Sequence, residues 1–135
     1  MSIKVNDYWN KYLEKNKLSK SLKFTEAFYF GNTKEMADEL GDLVARGIKT
    51  ATTSCDVLYD LEKENKPKVG DISIVTDFKN NPICIIKNLK VTYLYFKDMT
   101  FDLCEKEGED IDLNSWRKKH TAFFSDAFRK KTNNI

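Results

Sequence analysis

One histidine, three cysteines and a wealth of lysines, hydroxyls and carboxylates define the chemistry open to this 135-residue chain. His120 stands alone, which excludes a metal site with several histidines and acid–base work by a histidine pair. Cys55, Cys84 and Cys104 are odd in number, far apart and without a CxxC pair. They read as reduced, partly buried thiols rather than a disulfide framework or a zinc site. Catalysis would therefore rest on Lys, Thr, Ser, Tyr, Arg and carboxylates. Two stretches gather them. GIKTATTS, residues 47–54, places Lys49 beside Thr50, Thr52, Thr53 and Ser54. A strand explains the β-branched threonines but not the lysine. EKEGED, residues 105–110, gathers Glu105, Glu107, Glu109 and Asp110. A solvated helix end is the ordinary account of such a run, and no further oxygen ligands for magnesium are evident, so no metal and no cofactor are assigned.

These residues need elements to place them. VNDYWNKYLEKNK sets Val5, Tyr8, Trp9, Tyr12 and Leu13 on one helical stripe. Residues 24–30 put Phe24, Phe28 and Phe30 in even register, an extended segment ending at Gly31. The clearest helix spans residues 32–46, with Asn32 as cap, Met36, Leu40, Leu43 and Val44 as apolar face, and Gly47 as stop. A helical turn or two follows Cys55. Residues 72–78 and 82–96 read as antiparallel strands joined at KNN, the second being one bent strand or two. Tyr93, Tyr95 and Phe96 in that run can stack on bases, but the spacing favours core for most of them. Thr100 and Asp112 are placed to cap two last helices, and Arg117 and His120 fall on neighbouring turns of the final one. That pair either contacts a phosphate or base, or packs and pairs with the acidic cluster.

The bulk properties fit one α+β domain, with helices around a small, curved, mostly antiparallel sheet. Hydrophobic residues make up 41% and charged residues 33%, at a net charge of +2. That balance excludes strong nucleic-acid binding by bulk charge while leaving room for a local basic patch. No stretch is apolar enough to span a bilayer and the first residues lack a signal-peptide core, so a cytoplasmic protein without membrane contact is expected.

The order ADELGDLVARGIKTATTS, PKVGDISIV, PICIIKNLKV and EKEGEDIDLNSWRKKHTAFF resembles the ASCH domain, in its bacterial subgroup with an EGE…W…H..FF signature. The resemblance runs from about Phe24 to about Phe128, which makes residues 24–135 the domain and residues 1–23 an N-terminal helix and connection. It implies a PUA-like β-barrel with flanking helices, and RNA or a nucleoside as partner. Two activities are implied by different relatives: hydrolysis of N4-acetylcytidine, and cleavage of RNA. A non-catalytic RNA-binding module is the alternative. The chain has YFG, with Tyr29 and Phe30, where the family has a Trp-Gly or Trp-x-Gly pair, and it reaches KKTNNI without a final barrel strand. One barrel edge would then be exposed, covered by the last helix, or paired with a second copy of the chain in a homodimer contact.

Carried over residue by residue, the amidohydrolase pattern falls on Lys49, Thr52 and Glu107 as catalytic residues. A threonine hydroxyl attacks an amide only once a base takes its proton, and lysine is such a base only when its surroundings weaken its hold on its own proton. A carboxylate would hold the lysine or the attacked group. Arg117, His120 and Ser125 are the substrate-binding candidates, Ser125 being the partner of Lys49 if a phosphodiester is cut. Residues three apart face opposite sides of a regular strand, so Lys49 and Thr52 meet only across a bulge or turn, which Gly47 permits.

Overall fold

Val5, Trp9 and Leu13 recur every fourth residue, and that spacing makes α1 (Ile3–Lys15) amphipathic. In the computed structural model, which describes residues 3–133, the chain forms two units: Met1–Gly47 with Lys68–Val91, and Ile48–Pro67 with Thr92–Ile135.

The first unit buries the α1 stripe against Ile74 of the sheet, with Tyr8, Tyr12, Phe24 and Ile85 around it. Its sheet has three strands in the order β1 (Glu26–Phe28), β2 (Ile72–Thr76), β3 (Pro82–Lys87). The expected antiparallel pairing of β2 and β3 is present, with Ile74 opposite Ile85 and a register shift at Val75/Thr76. Helix α2 (Lys34–Ala45) packs on the sheet where Gly41 meets Ile83. Thr33, not Asn32, is its cap, accepting the Met36 amide at 3.2 Å. Gly47, in the left-handed region at φ 76°, follows its end.

Two expectations fail here. The sheet is an open three-stranded sheet among the described residues, not a closed barrel, and it is mixed, because β1 runs parallel to β2. The run 82–96 stops being a strand at Lys87, because its partner stops too. Gly70 and Asn88 close the ladder through Gly70 N–H to Asn88 O, and Asn88 N–H to Asp71 O. Beyond that point the β-formers find no neighbour, and β propensity without pairing makes no strand. Tyr93, Tyr95 and Phe96 consequently lie exposed instead of forming core.

The second unit contains α3 (Asp56–Glu62), α4 (Phe101–Cys104), α5 (Leu113–Asn133) and two short 3₁₀ turns, Phe96–Asp98 and Glu105–Glu107. Asp112 caps α5 as expected, accepting the Ser115 amide at 2.8 Å. Trp116, Met99 and Cys104 form its buried centre, with Phe101 and Leu113 beside them. The chain-end expectation reaches residues 134–135, which lie outside the described residues; up to Asn133 the last element is α5.

Candidate functional site

The segment 47–54 is not a strand but an irregular stretch tied to the Glu105–Glu107 turn. The amides of Thr50 and Ala51 both donate to the Lys106 carbonyl, at 2.7 and 3.1 Å. Gly108, at φ 73°, lets the two segments touch, since a Cβ there would lie 2.9 Å from Ile48 Cγ2 and 3.0 Å from Ile48 O. Glycine is needed twice over, for its dihedral and for its missing side chain. This seam carries Lys49 to Glu107.

The Lys49 side chain is only 2% exposed. Its Nζ donates to Glu109 Oε2 at 2.7 Å and to Ala51 O at 2.9 Å, and lies 3.8 Å from Glu107 Oε1. Glu107 is as deeply buried. Its Oε2 accepts from Trp116 Nε1 at 2.7 Å and from Thr53 Oγ1 at 3.0 Å, while Oε1 lies 3.6 Å from His120 Nε2. Helix α5 supplies both rings from successive turns, and the indole and imidazole stack at 4.3 Å between centroids.

His120 Nδ1 stands 2.9 Å from the Trp116 carbonyl. A carbonyl only accepts, so Nδ1 carries a proton in either charge state, and Nε2 gains one only when the ring becomes imidazolium. Burial pulls the His120 pKa down, but the Glu107 carboxylate, the Trp116 carbonyl and the charge of Glu109 outweigh it, and the pKa ends above its ordinary value. Burial pushes the Glu107 carboxyl up, and the His120, Lys49, Trp116 and Thr53 donors more than offset this, holding it below the usual carboxylate range. With His120 protonated, two cations face two carboxylates, so the buried set is electrically balanced.

Lys49, Glu107 and His120 are thus brought together. Thr52 is exposed, and the neighbouring Thr53 is the hydroxyl that reaches Glu107. Arg117 is turned to the backbone carbonyls of Phe96, Lys97 and Met99, with its guanidinium over the Phe96 ring. Ser125 is exposed one turn past His120, on the wall of a groove with Cys55, Phe124, Phe128 and Arg129. Sequence reasoning passed over Glu109 as the closest partner of Lys49, Thr53 as the bonded hydroxyl, and Trp116 as a donor. Glu109 stood in view within the acidic run, but a run of carboxylates carries no sign of which one turns inward.

No group of three or more His, Cys, Asp or Glu side chains able to hold a metal ion occurs among the described residues. No helix among them is long and apolar enough to cross a membrane.

The model of the ASCH domain matches residues 26–135. The crystal structure of protein EF3133 from Enterococcus faecalis V583 is similar over 98% of this chain and 79% of that one, at 30% identity and a TM-score of 0.89. An ASCH domain from Lactobacillus crispatus JV V101 is similar over 93% and 80%, at 29% identity and a TM-score of 0.83. No curated protein matches the chain.

Proposed function

Because this chain belongs to the ASCH domain family, we propose that its buried Lys49–Glu107–Glu109–His120 cluster serves a nucleoside-sized ligand and hydrolyses the acyl group of an N-acylated cytidine. The observation that carries this reading is the ion-paired, nearly sealed Lys49. Removing two charges from water costs several kcal/mol per ion, roughly, and perturbed, paired ionisable groups gather where chemistry is done. The side chains of Glu109 and His120, 20% and 14% exposed, form the face of the cluster that a ligand can reach.

Amide hydrolysis needs a nucleophile, a polariser of the carbonyl and a proton for the leaving amine. In this reading the exposed Thr52 hydroxyl attacks the acyl carbon, and Glu109, the more exposed carboxylate, takes its proton. His120, whose pKa the Glu107 carboxylate and the Trp116 carbonyl raise above its ordinary value, hands a proton to the departing exocyclic nitrogen as the C–N bond breaks. Lys49 and Glu107 hold these groups in place, and water then releases the acyl group from Thr52 as a free acid. The test is incubation with N4-acetylcytidine, followed by chromatography for cytidine. Turnover by the parent, lost in Lys49→Ala and in Thr52→Ala, is the expected result; turnover retained by Lys49→Ala would show that the cluster does not do the chemistry.

One observation favours a second reading, RNA binding without catalysis. Tyr93 and Tyr95 are 64% and 76% exposed, and Lys97 lies over the Tyr95 ring. Open aromatic faces beside a cation suit stacked single-stranded bases. A short single-stranded RNA that binds the parent and Lys49→Ala alike, but not Tyr95→Ala, with no product from N4-acetylcytidine, would decide for it. Such binding should weaken steeply with salt.

A further inference from the structure

Residues 11–23 hold five lysines against a single carboxylate, Glu14, so this short stretch carries +4 in a chain whose total is only +2. The rest of the chain is therefore net negative. All five lysines are exposed, and none of them forms an ion pair among the described residues. A lysine run on a loose connection would be an ordinary solvated stretch. This one is tied down. Lys17 turns the chain at φ 54° after α1, and the Leu22 amide donates to the Ser19 carbonyl at 3.1 Å. The buried Trp9 indole donates in turn to the Leu22 carbonyl at 3.1 Å, which fixes the backbone between Lys20 and Lys23.

Held in this way, Lys20 and Lys23 line a groove of about 310 Å³ in the first unit, together with Asn6 and Asn10 of α1. The two asparagines stand one turn apart, so they share a helix face. Trp9, Leu22 and Phe24 supply apolar surface, and no carboxylate lines the groove. The set matches the parts of a nucleotide: ammoniums for phosphates, amides that donate and accept for a base edge, and an apolar surface for a flat ring. An acidic peptide would use the lysines but not that surface. A membrane would ask for exposed apolar side chains beside them, and the α1 stripe is instead turned into the core, with Val5, Trp9 and Leu13 buried.

We infer that this groove binds a single-stranded nucleic acid, with one nucleotide seated in it and the flanking phosphates on Lys20 and Lys23. Every lining residue precedes residue 26, where the match to the ASCH domain begins, so the surface is separate from the matched domain. The inference does not depend on the charged cluster being a hydrolase.

Binding of a short, labelled single-stranded RNA, followed by fluorescence anisotropy across a salt series, tests this. Each phosphate neutralised on a single strand adds about −0.7 to the slope of log K against log salt. Lys20→Gln with Lys23→Gln should therefore flatten the slope by about 1.4 and weaken binding about tenfold at about 50 mM salt. Both side chains are exposed, so the fold is undisturbed. Lys11→Gln with Lys15→Gln removes the same charge from outside the groove and should do much less. Asn10→Ala should weaken the RNA without changing the slope, as loss of an uncharged contact does. Equal losses from the two lysine pairs would reduce the groove to a diffuse field and overturn the assignment. An unchanged slope in Lys20→Gln with Lys23→Gln would overturn it too, and would spare the Tyr95 surface if Tyr95→Ala abolished binding. No binding of RNA by the parent at low salt would overturn both surfaces. Polyglutamate competing as well as RNA would give the groove to an acidic protein, and phosphatidylserine-rich vesicles binding where RNA does not would give it to a membrane. Either result would overturn the assignment.

Discussion

The two tryptophans of this chain solve the same problem in opposite ways. Trp9, in the first unit, is buried with its ring between Tyr12 and Phe24 and donates its indole proton to the Leu22 backbone carbonyl at 3.1 Å. Trp116, in the second, is buried between Phe96 and His120 and donates to a carboxylate at 2.7 Å. A backbone carbonyl is neutral and already held by the fold. Glu107 is not: it must be stripped of water, and it draws in Lys49, His120 and Thr53 to compensate. Apolar packing of similar volume often stabilises a core as well as a buried ion pair does. The first unit has the arrangement expected of stability alone. The second carries a charge where stability does not ask for one, and such local departures collect at functional sites.

The largest way to break this contrast is to empty the carboxylate. Glu107→Ala leaves the Trp116 indole, the Thr53 hydroxyl and part of the Lys49 charge without their partner, and should cost about 3–5 kcal/mol in urea unfolding. A loss below about 1 kcal/mol would mean that water replaces the carboxylate freely, and the centre of the second unit would then be wet rather than sealed. Ile74→Ala is the matching change in the first unit. Ile74 is fully buried and surrounded by the α1 stripe, so the loss should be about 3 kcal/mol, from transfer and cavity terms. Its loss should not vary with pH, unlike that of Glu107→Ala. If both varied alike, the division into an apolar and a charged centre would fall.

How far the sequence predicts this molecule follows the same division. Helix α1, helix α2 with its Gly47 stop, the β2–β3 pair and the Asp112 cap all announce themselves through periodicity or a local cap, and the structure has them. Residues 88–96 mislead because β propensity is a local property, whereas a strand needs a partner that only the tertiary fold provides. The open, mixed sheet is likewise a matter of which strands pair, and alternation says nothing of that. At the site, Lys49 and Glu107 were legible through the family resemblance. Thr53 in place of Thr52 beside the carboxylate was not, because the segment is irregular and faces cannot be counted along it. That the Trp116 N–H meets a charge depends on a turn nine residues earlier, which nothing around Trp116 in the sequence announces.

A smaller effect separates two glycines that look alike. Gly47 and Gly108 both lie in the left-handed region, at φ 76° and 73°. A Cβ on Gly47 meets nothing within 4 Å, so Gly47→Ala should cost about 1–2 kcal/mol, the backbone term alone. A Cβ on Gly108 runs into the Ile48 side chain and its carbonyl oxygen. Gly108→Ala should therefore cost more than about 2 kcal/mol and also loosen the Lys49–Glu107 seam. Equal melting temperatures for the two variants would show that the seam gives way easily and does not hold the cluster.

The gentlest probe is pH, and it reads the second unit almost alone. Glu107 has its pKa lowered from an ordinary 4.5, so the stability it adds is present above that value and is lost as pH falls through its lower folded pKa. His120 has its pKa raised from an ordinary 6.5, so its contribution is complete below that value and is lost as pH rises through its higher folded pKa. The network is therefore strongest between the two, on the acid side of neutrality. Stability measured between about pH 6 and about pH 8 should decline with rising pH, and His120→Gln should flatten that limb. Trp116 offers a direct signal, since an imidazolium stacked on an indole quenches it and a neutral ring does so less. In a Trp9→Phe background Trp116 is the only tryptophan, and its emission should rise as His120 loses its proton. The companion variant Trp116→Phe, which leaves Trp9 among Tyr12 and Phe24, should show no such transition. An emission change that persists after His120→Gln would place the titrating group elsewhere and remove the charge balance from which the contrast between the two centres was argued.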